Sequence, residues 1–153
     1  VIVSGFARGV DRQALDSSIK YNGNSIIVLP QGILTFDSGF KKYQKEIDNA
    51  GVIVLSTFPP DAGWSTGLAM ARNRYIYGLA KEIYVAQTNS SGGTWNGAID
   101  GLKKKRNVYV YYPEHNEESA SFELLKQGAK AVDFNGQFID VQLPYKETQL
   151  KMF

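Results

Sequence analysis

The sequence has no cysteine and a single histidine, His115, among its 153 residues. The first absence excludes disulfide bonds and zinc–thiolate centres, and the second argues against a histidine-dependent catalytic triad or a histidine-rich metal site. No apolar run approaches the roughly 18 residues that a membrane span needs. The composition is compatible with a reducing compartment, and we predict a cytoplasmic protein without a metal or a cofactor.

The sequence also has little net charge, +2, which is too small to indicate a nucleic-acid partner by itself. The basic residues are unevenly distributed, however. The segment from Arg72 to Arg106 holds seven basic and two acidic residues, so its net charge is +5 and that of the remainder is −3. Such a segment is either an electrostatic footprint for a polyanion or the solvated face of a helix.

Short apolar runs alternate with segments of helical spacing along the chain. The runs are continuous, as in strands that are covered on both faces. The predicted strands are residues 1–3, 25–29, 52–55, 83–86, 108–110 and 130–132. The predicted helices are residues 12–20, 39–49, 67–80, 94–105 and 119–127. This alternation predicts βαβ units and a parallel sheet, in one domain over residues 1–153 that lacks its N-terminal elements.

Ligands of open parallel sheets bind beyond the carboxyl ends of the strands, so the loops that follow the strands are the candidate sites. The first such loop reads Ser-Gly-Phe-Ala-Arg-Gly-Val-Asp at residues 4–11. Its glycines allow the backbone to approach a ligand, Arg8 can grip a phosphate, and Asp11 is placed to cap a helix that begins near Arg12. A purely structural turn explains the same residues equally well.

A second loop reads Asn-Ser-Ser-Gly-Gly-Thr at residues 89–94, directly after a predicted strand. Small residues, hydroxyl groups and free N–H groups at the start of a helix are typical of an anion nest. The loop is not a Walker A motif, because no Gly-Lys-Ser/Thr follows. The alternative is an ordinary loop in which a serine or threonine caps the next helix.

Arg72 lies on an otherwise apolar helix face, which it shares with Leu68, Ile76 and Leu79. An unpaired charge on such a face is costly, so Arg72 requires either a carboxylate such as Asp11 or a bound phosphate. Arg74 points away from this face and is freer to contact a ligand.

Four aromatic residues lie near these loops and are candidates for stacking on nucleobases. Phe6 and Trp95 are favoured, because each lies in a glycine-rich loop. Most aromatic residues are core residues, and Trp64 is an alternative candidate for fastening its loop to the domain.

Together these motifs resemble the DNA-processing protein A family (DprA, also called Smf), from residue 1 to about residue 132. The matching pieces are, in order, residues 4–11, residues 26–29 leading to Gly32, Arg-Asn-Arg-Tyr-Ile-Tyr-Gly-Leu at 72–79, Ser-Gly-Gly-Thr at 91–94 with Ala98, Arg106 before a strand, and Leu-Leu-Lys-Gln-Gly-Ala at 124–129. The chain departs from the family pattern at residues 14–15, at Gly93 and at residues 111–113, which indicates a divergent member.

The resemblance implies a Rossmann-like, doubly wound and mostly parallel sheet with helices on both faces. It further implies a homodimeric binding protein, not an enzyme, that takes single-stranded DNA in DNA uptake or recombination and loads a RecA-type recombinase, without a membrane. The residues that it implies for DNA and phosphate binding are Ser4, Gly5, Phe6, Arg8, Gly9, Arg72, Asn73, Arg74, Ser91, Gly92, Gly93 and Thr94.

Other functions stay open at this point. Related Rossmann-like domains sense nucleotide-derived small molecules or hydrolyse nucleoside monophosphates, and residues 91–94 faintly resemble the Pro-Gly-Gly-x-Gly-Thr loop of lysine-decarboxylase-like phosphoribohydrolases. The proline, the third glycine and a following glutamate of that loop are missing. A scaffold or oligomerisation domain with a vestigial pocket is a further alternative. A DNA-binding protein prefers oligomers long enough to reach Arg8, Arg74 and residues 103–106, whereas a sensor is saturated by a mononucleotide.

Overall fold

The computed structural model describes residues 1–36, 39–112 and 117–143, so His115 lies outside the described residues. The chain divides into two compact units, the first spanning residues 1–83 and the second beginning at Tyr84. Each unit has buried apolar residues of its own. No helix within the described ranges is both long and apolar enough to cross a membrane.

The first unit contains a three-stranded parallel sheet with the strand order β1-β2-β3. Its elements are β1 (Ile2–Ser4), α1 (Val10–Lys20), β2 (Ser25–Val28), β3 (Val52–Leu55) preceded by α2 (Gln44–Asp48), and α3 (Thr66–Leu79). Two 3-10 turns, Ile33–Thr35 and Lys41–Tyr43, lie between β2 and α2. Val3, Ile26 and Ile53 are opposite one another in the three strands.

The strands of the later part of the chain form a second three-stranded sheet with the order β4-β5-β6. Its elements are β4 (Glu82–Val85), α4 (Gly93–Lys103), β5 (Asn107–Tyr111), α5 (Ala120–Lys126) and β6 (Lys130–Val132). β5 and β6 are parallel, with Val110 opposite Ala131. Beyond β6, a single antiparallel bridge joins Val132 to Phe138.

The predicted strand–helix alternation and the α/β class are confirmed, and the six strands are distributed over two sheets. The largest local difference is the predicted helix at residues 39–49. Tyr43 donates its backbone N–H to the Phe40 carbonyl and closes a 3-10 turn, so the α-helix that follows covers only Gln44–Asp48.

The core of the first unit joins distant parts of the chain around α1 and the sheet. Its buried members are Phe6, Leu15, Ile27, Leu29, Tyr43 and Val52. Leu15 in the middle of α1 and Ile27 of the central strand are completely buried, so the middle of α1 packs on the sheet. Removing a buried leucine of this kind costs about 2–5 kcal/mol, which makes α1 a firm base for the loop that precedes it.

Candidate functional site

The loop between β1 and α1 is held together by the carboxylate of Asp11. Its Oδ2 accepts hydrogen bonds from the backbone N–H of Gly5 (2.9 Å) and of Ala7 (3.1 Å). The prediction that Asp11 caps the following helix is therefore wrong. The helix begins at Val10 with Gly9 as its N-cap and without a side-chain cap, because the Asp11 side chain turns back into the loop.

Arg72 fastens the same loop from the side of α3. It is only 7% exposed, and its Nη1 donates to the carbonyl oxygens of Gly5 (2.7 Å) and Val28 (2.6 Å), at the ends of β1 and β2. Among the described residues no ion pair joins Arg72 to Asp11. Burial lowers the pKa of Arg72, and the nearby Asp11 charge partly opposes this effect. Arg72 is thus a structural cross-link between three elements.

Gly5 lacks a side chain because the Arg72 guanidinium occupies the space beside it. A Cβ built on Gly5 would lie 2.5 Å from Cζ of Arg72, far closer than van der Waals contact. Gly5 and Ser4 are both buried, so they support the loop from within.

Phe6 is a core residue, which corrects the prediction that its ring stacks on a nucleobase. It is 5% exposed, and its ring meets those of Phe36 (5.5 Å between centroids) and Tyr43 (5.7 Å) edge to face. Its backbone is left-handed, with φ of 61°. Arg12, which the sequence did not single out, donates from Nε to the Phe6 carbonyl (3.2 Å) and lies over the ring, with Cζ 3.6 Å from the centroid.

Arg8 and Gly9, together with Ala7, form the solvent-facing part of the loop. All three are exposed, and the Arg8 side chain has no hydrogen bond or ion pair with any other described residue. Gly9 has φ of 89°, and a Cβ there would meet nothing within 4 Å, so the glycine serves backbone conformation and not packing. Because no side chain caps α1, the first N–H groups of the helix stay available to an anion beside Arg8.

Arg74, two residues after Arg72, lies on an exposed part of α3. Its Nη2 donates to the hydroxyl oxygen of Tyr75 (3.1 Å), and its Cζ is 4.9 Å from the centre of that ring. The contact leaves the rest of the guanidinium at the surface. Asn73 is half-buried between the two arginines in the sequence.

The second glycine-rich loop leads into α4 in the second unit. Gly92 is the N-cap with φ of 96°, and no side chain caps the helix, so the alternative of a serine or threonine cap is not met. Ser91, Gly92 and Thr94 are exposed, Gly93 is half-buried, and Trp95 is half-buried. The start of α4 thus has the same form as the start of α1.

The longer helix α3 and the helix α5 begin with a side-chain cap, whereas α2, like α1 and α4, has none. Oγ of Ser65 accepts from the N–H of Leu68 (3.1 Å) at the start of α3, and Oγ of Ser119 accepts from Phe122 (3.2 Å) at the start of α5. The two helices that follow the predicted anion loops therefore lack the side-chain caps that α3 and α5 have. The helix dipole favours a bound anion at such a start.

The structure groups the predicted site residues by unit. Residues 4–9 and 72–74 belong to the first unit, where Arg72 links them directly, and residues 91–94 belong to the second. The basic residues 103–106 lie at the C-terminal end of α4, an 11-residue helix about 16 Å long, and so at the far end from Gly92. Lys104 there pairs with Asp100 (2.8 Å).

Two solved structures of DNA processing protein A are similar to this chain. That of Streptococcus pneumoniae has a TM-score of 0.71 and 27% identity, over 86% of this chain and 47% of its own. That of Helicobacter pylori, described for its unique single-stranded DNA binding mode, has a TM-score of 0.68 and 28% identity, over 86% of this chain and 60% of its own. The fold and its glycine turns define a Rossmann-like α/β protein.

The sequence comparisons identify the family. Residues 1–141 match the family model of DNA recombination-mediator protein A. The DNA processing protein DprA of Bacillus subtilis is 29% identical over 97% of this chain and 50% of its own, and the Smf protein of Escherichia coli is 32% identical over 84% and 35%. The chain belongs to the DNA recombination-mediator protein A family, DprA/Smf. It spans between about a third and a half of the length of these curated relatives.

Proposed function

We propose that this chain binds single-stranded DNA through its phosphate backbone, as part of DNA processing. The observation that carries the proposal is the exposed Arg8 beside the uncapped start of α1, on a loop that Asp11 and Arg72 hold in place. A guanidinium and free backbone N–H groups together suit a phosphate. The description of the related Helicobacter pylori protein supports a single strand as the source of that phosphate.

The start of α4 supplies a second anion-binding turn in this proposal, with Ser91, Gly92, Gly93 and Thr94 around it. Arg74 adds an exposed positive charge on α3, with Asn73 beside it. Phosphate contacts carry no sequence information, so binding is tolerant of sequence and sensitive to salt.

For the whole protein, the proposal includes a homodimer, a RecA-type recombinase as partner, a non-catalytic role and a cytoplasmic location. Residues 1–153 act in it as one Rossmann-like domain. Membership of a family described as recombination mediators supports the recombinase as a partner.

The test is fluorescence anisotropy with labelled oligo-dT of about 20 nucleotides, titrated at several salt concentrations. Each phosphate contact on a single strand contributes about 0.7 to the slope of log K against log salt. Arg8→Ala and Arg74→Ala should each weaken binding and flatten the slope by about that amount. Lys45→Ala is the matched control, because Lys45 is an exposed cation of the same unit on α2. Unchanged slopes for Arg8→Ala and Arg74→Ala would overturn the proposed site.

A further inference from the structure

Trp64 is a large aromatic residue that the fold leaves in solvent. Its side chain is 62% exposed, and no ring or cation contact holds it among the described residues. The expectation that it fastens its loop to the domain is therefore not met. A single exposed apolar residue is common on protein surfaces, so its place in the fold decides its meaning.

The backbone on both sides of Trp64 is fixed. Two residues before it, the Ala62 carbonyl accepts from the N–H of Gly32 (2.8 Å) and from Oγ1 of Thr35 (2.8 Å). One residue after it, Ser65 caps α3. Trp64 therefore projects into solvent from a segment whose backbone is ordered on both sides. Because this backbone is already ordered, less entropy is lost when Trp64 contacts a ligand.

Trp64 lies on the same edge of the first sheet as Arg8. β1, β2 and β3 are parallel, so the loops that follow β1 and β3 leave from one edge, with their roots about 10 Å apart. α3 begins directly after the residue that follows Trp64, and six residues later it is tied, through Arg72, to the end of β1. Six helical residues rise about 9 Å, a distance that a short oligonucleotide spans.

The charges at this edge favour a nucleobase as the group that contacts Trp64. Arg8 attracts a polyanion, while Asp61, three residues before Trp64, is acidic and exposed, so the Trp64 segment itself repels phosphates. A single strand supplies both groups, a phosphate for Arg8 and the flat face of a base for an indole. Phe6, in the loop that carries Arg8, is buried and cannot stack.

We propose that Trp64 is a base-stacking subsite, which takes an unpaired nucleobase of the strand whose phosphate contacts Arg8. The inference rests on the proposed function. It adds a contact to a DNA base, whereas the proposed site contacts only the phosphate backbone of the DNA. Stacking is tolerant of base identity, because every base has a π face, so the subsite adds affinity and discriminates against duplex DNA.

The test compares oligo-dT with an abasic strand of the same length, which has the phosphates but no bases. Trp64→Ala should weaken oligo-dT binding roughly fivefold or more, the fold-change that about 1 kcal/mol of stacking gives, and leave abasic binding and the salt slope unchanged. Trp64→Phe should restore most of the loss. Tyr21→Ala is the matched control, because Tyr21 is an aromatic residue 76% exposed at the other end of α1.

The tryptophans provide a second readout. The chain has two, and in Trp95→Phe the remaining emission comes from Trp64. Oligo-dT should quench it, and the abasic strand should not. Unchanged oligo-dT affinity in Trp64→Ala, with wild-type binding intact, would overturn this inference alone. An equal loss on both strands would also overturn it, because a backbone contact would then be affected. Absence of wild-type binding to either strand would overturn the proposed function together with the inference.

Discussion

Substitutions of Asp11 can distinguish the effect of its charge on DNA binding from its effect on the geometry of the loop. Asp11 is an acidic residue three positions from Arg8, so its charge alone opposes a bound phosphate. Its Oδ2, however, accepts from Gly5 and Ala7 and fixes the loop that presents Arg8. Asp11→Ala and Asp11→Asn remove the same charge, but only the asparagine keeps an oxygen acceptor in the same place. The two variants should therefore differ in DNA binding at equal net charge.

The magnitudes follow from the two hydrogen bonds. Bonds to a charged group contribute about 1.5–3 kcal/mol, and the one to Ala7 is exposed and worth less, so Asp11→Ala should cost about 2–3 kcal/mol of unfolding free energy. Asp11→Asn should cost about 1 kcal/mol. A unit charge about 8 Å from a phosphate in water contributes about 0.5 kcal/mol, so charge alone makes both variants bind about twofold tighter.

The assay is oligo-dT anisotropy for both variants and for Arg8→Ala, each checked for folding by urea denaturation. Asp11→Asn should bind as tightly as wild type or up to about twofold tighter. Asp11→Ala should bind several-fold weaker, and the Arg8→Ala/Asp11→Ala double variant should bind no more weakly than Arg8→Ala alone, because Asp11 acts through Arg8. Equal binding by Asp11→Ala and Asp11→Asn would refute the positioning role.

Three further predictions concern stability. Gly5→Ala should lose about 1–3 kcal/mol in urea denaturation through overlap with Arg72, whereas Gly63→Ala, whose Cβ meets nothing within 4 Å, should be near neutral. Arg72→Met leaves two buried carbonyls without a donor and should lose about 2–4 kcal/mol; a loss below about 1 kcal/mol would contradict the cross-link. The hydrogen bond from Lys42 lowers the pKa of Asp16 below 3.8, so this stabilisation is present above that pH and lost as the pH falls through the folded value. The free energy of unfolding of Asp16→Asn should therefore fall less than that of wild type between about pH 6 and about pH 3. The same fall in both proteins would exclude the effect.

Most elements of the fold can be predicted from the sequence, because continuous Val- and Ile-rich runs mark buried parallel strands. Residues 52–55 agree with β3 at both ends. The pattern starts α1 two residues late, since Gly9 caps it with a backbone conformation that no side-chain pattern reveals. The segment at 39–49 has helical spacing but is divided, because Phe40 and Tyr43 pack around Phe6 from a 3-10 turn.

The site is less predictable, because its contacts are made by backbone groups and by residues far apart in the sequence. The sequence suggests Asp11 or a bound phosphate as the partner of Arg72, whereas its Nη1 donates to the carbonyls of Gly5 and Val28, 67 and 44 residues away. Phe6 lies between glycines, which suggests exposure, yet its left-handed φ turns the ring into the core. The exposure of Trp64 is equally hard to predict, because it depends on hydrogen bonds that fix the backbone at Ala62 and Ser65.

The most direct test of the central claim is competition for labelled oligo-dT of about 20 nucleotides, at low and at physiological salt, with AMP and duplex DNA as competitors. We expect salt-dependent binding that an unlabelled single strand displaces, that AMP does not displace at comparable phosphate concentration, and that duplex DNA displaces only weakly. Full displacement by AMP, or no binding at low salt, would contradict this expectation and indicate a small-nucleotide site instead.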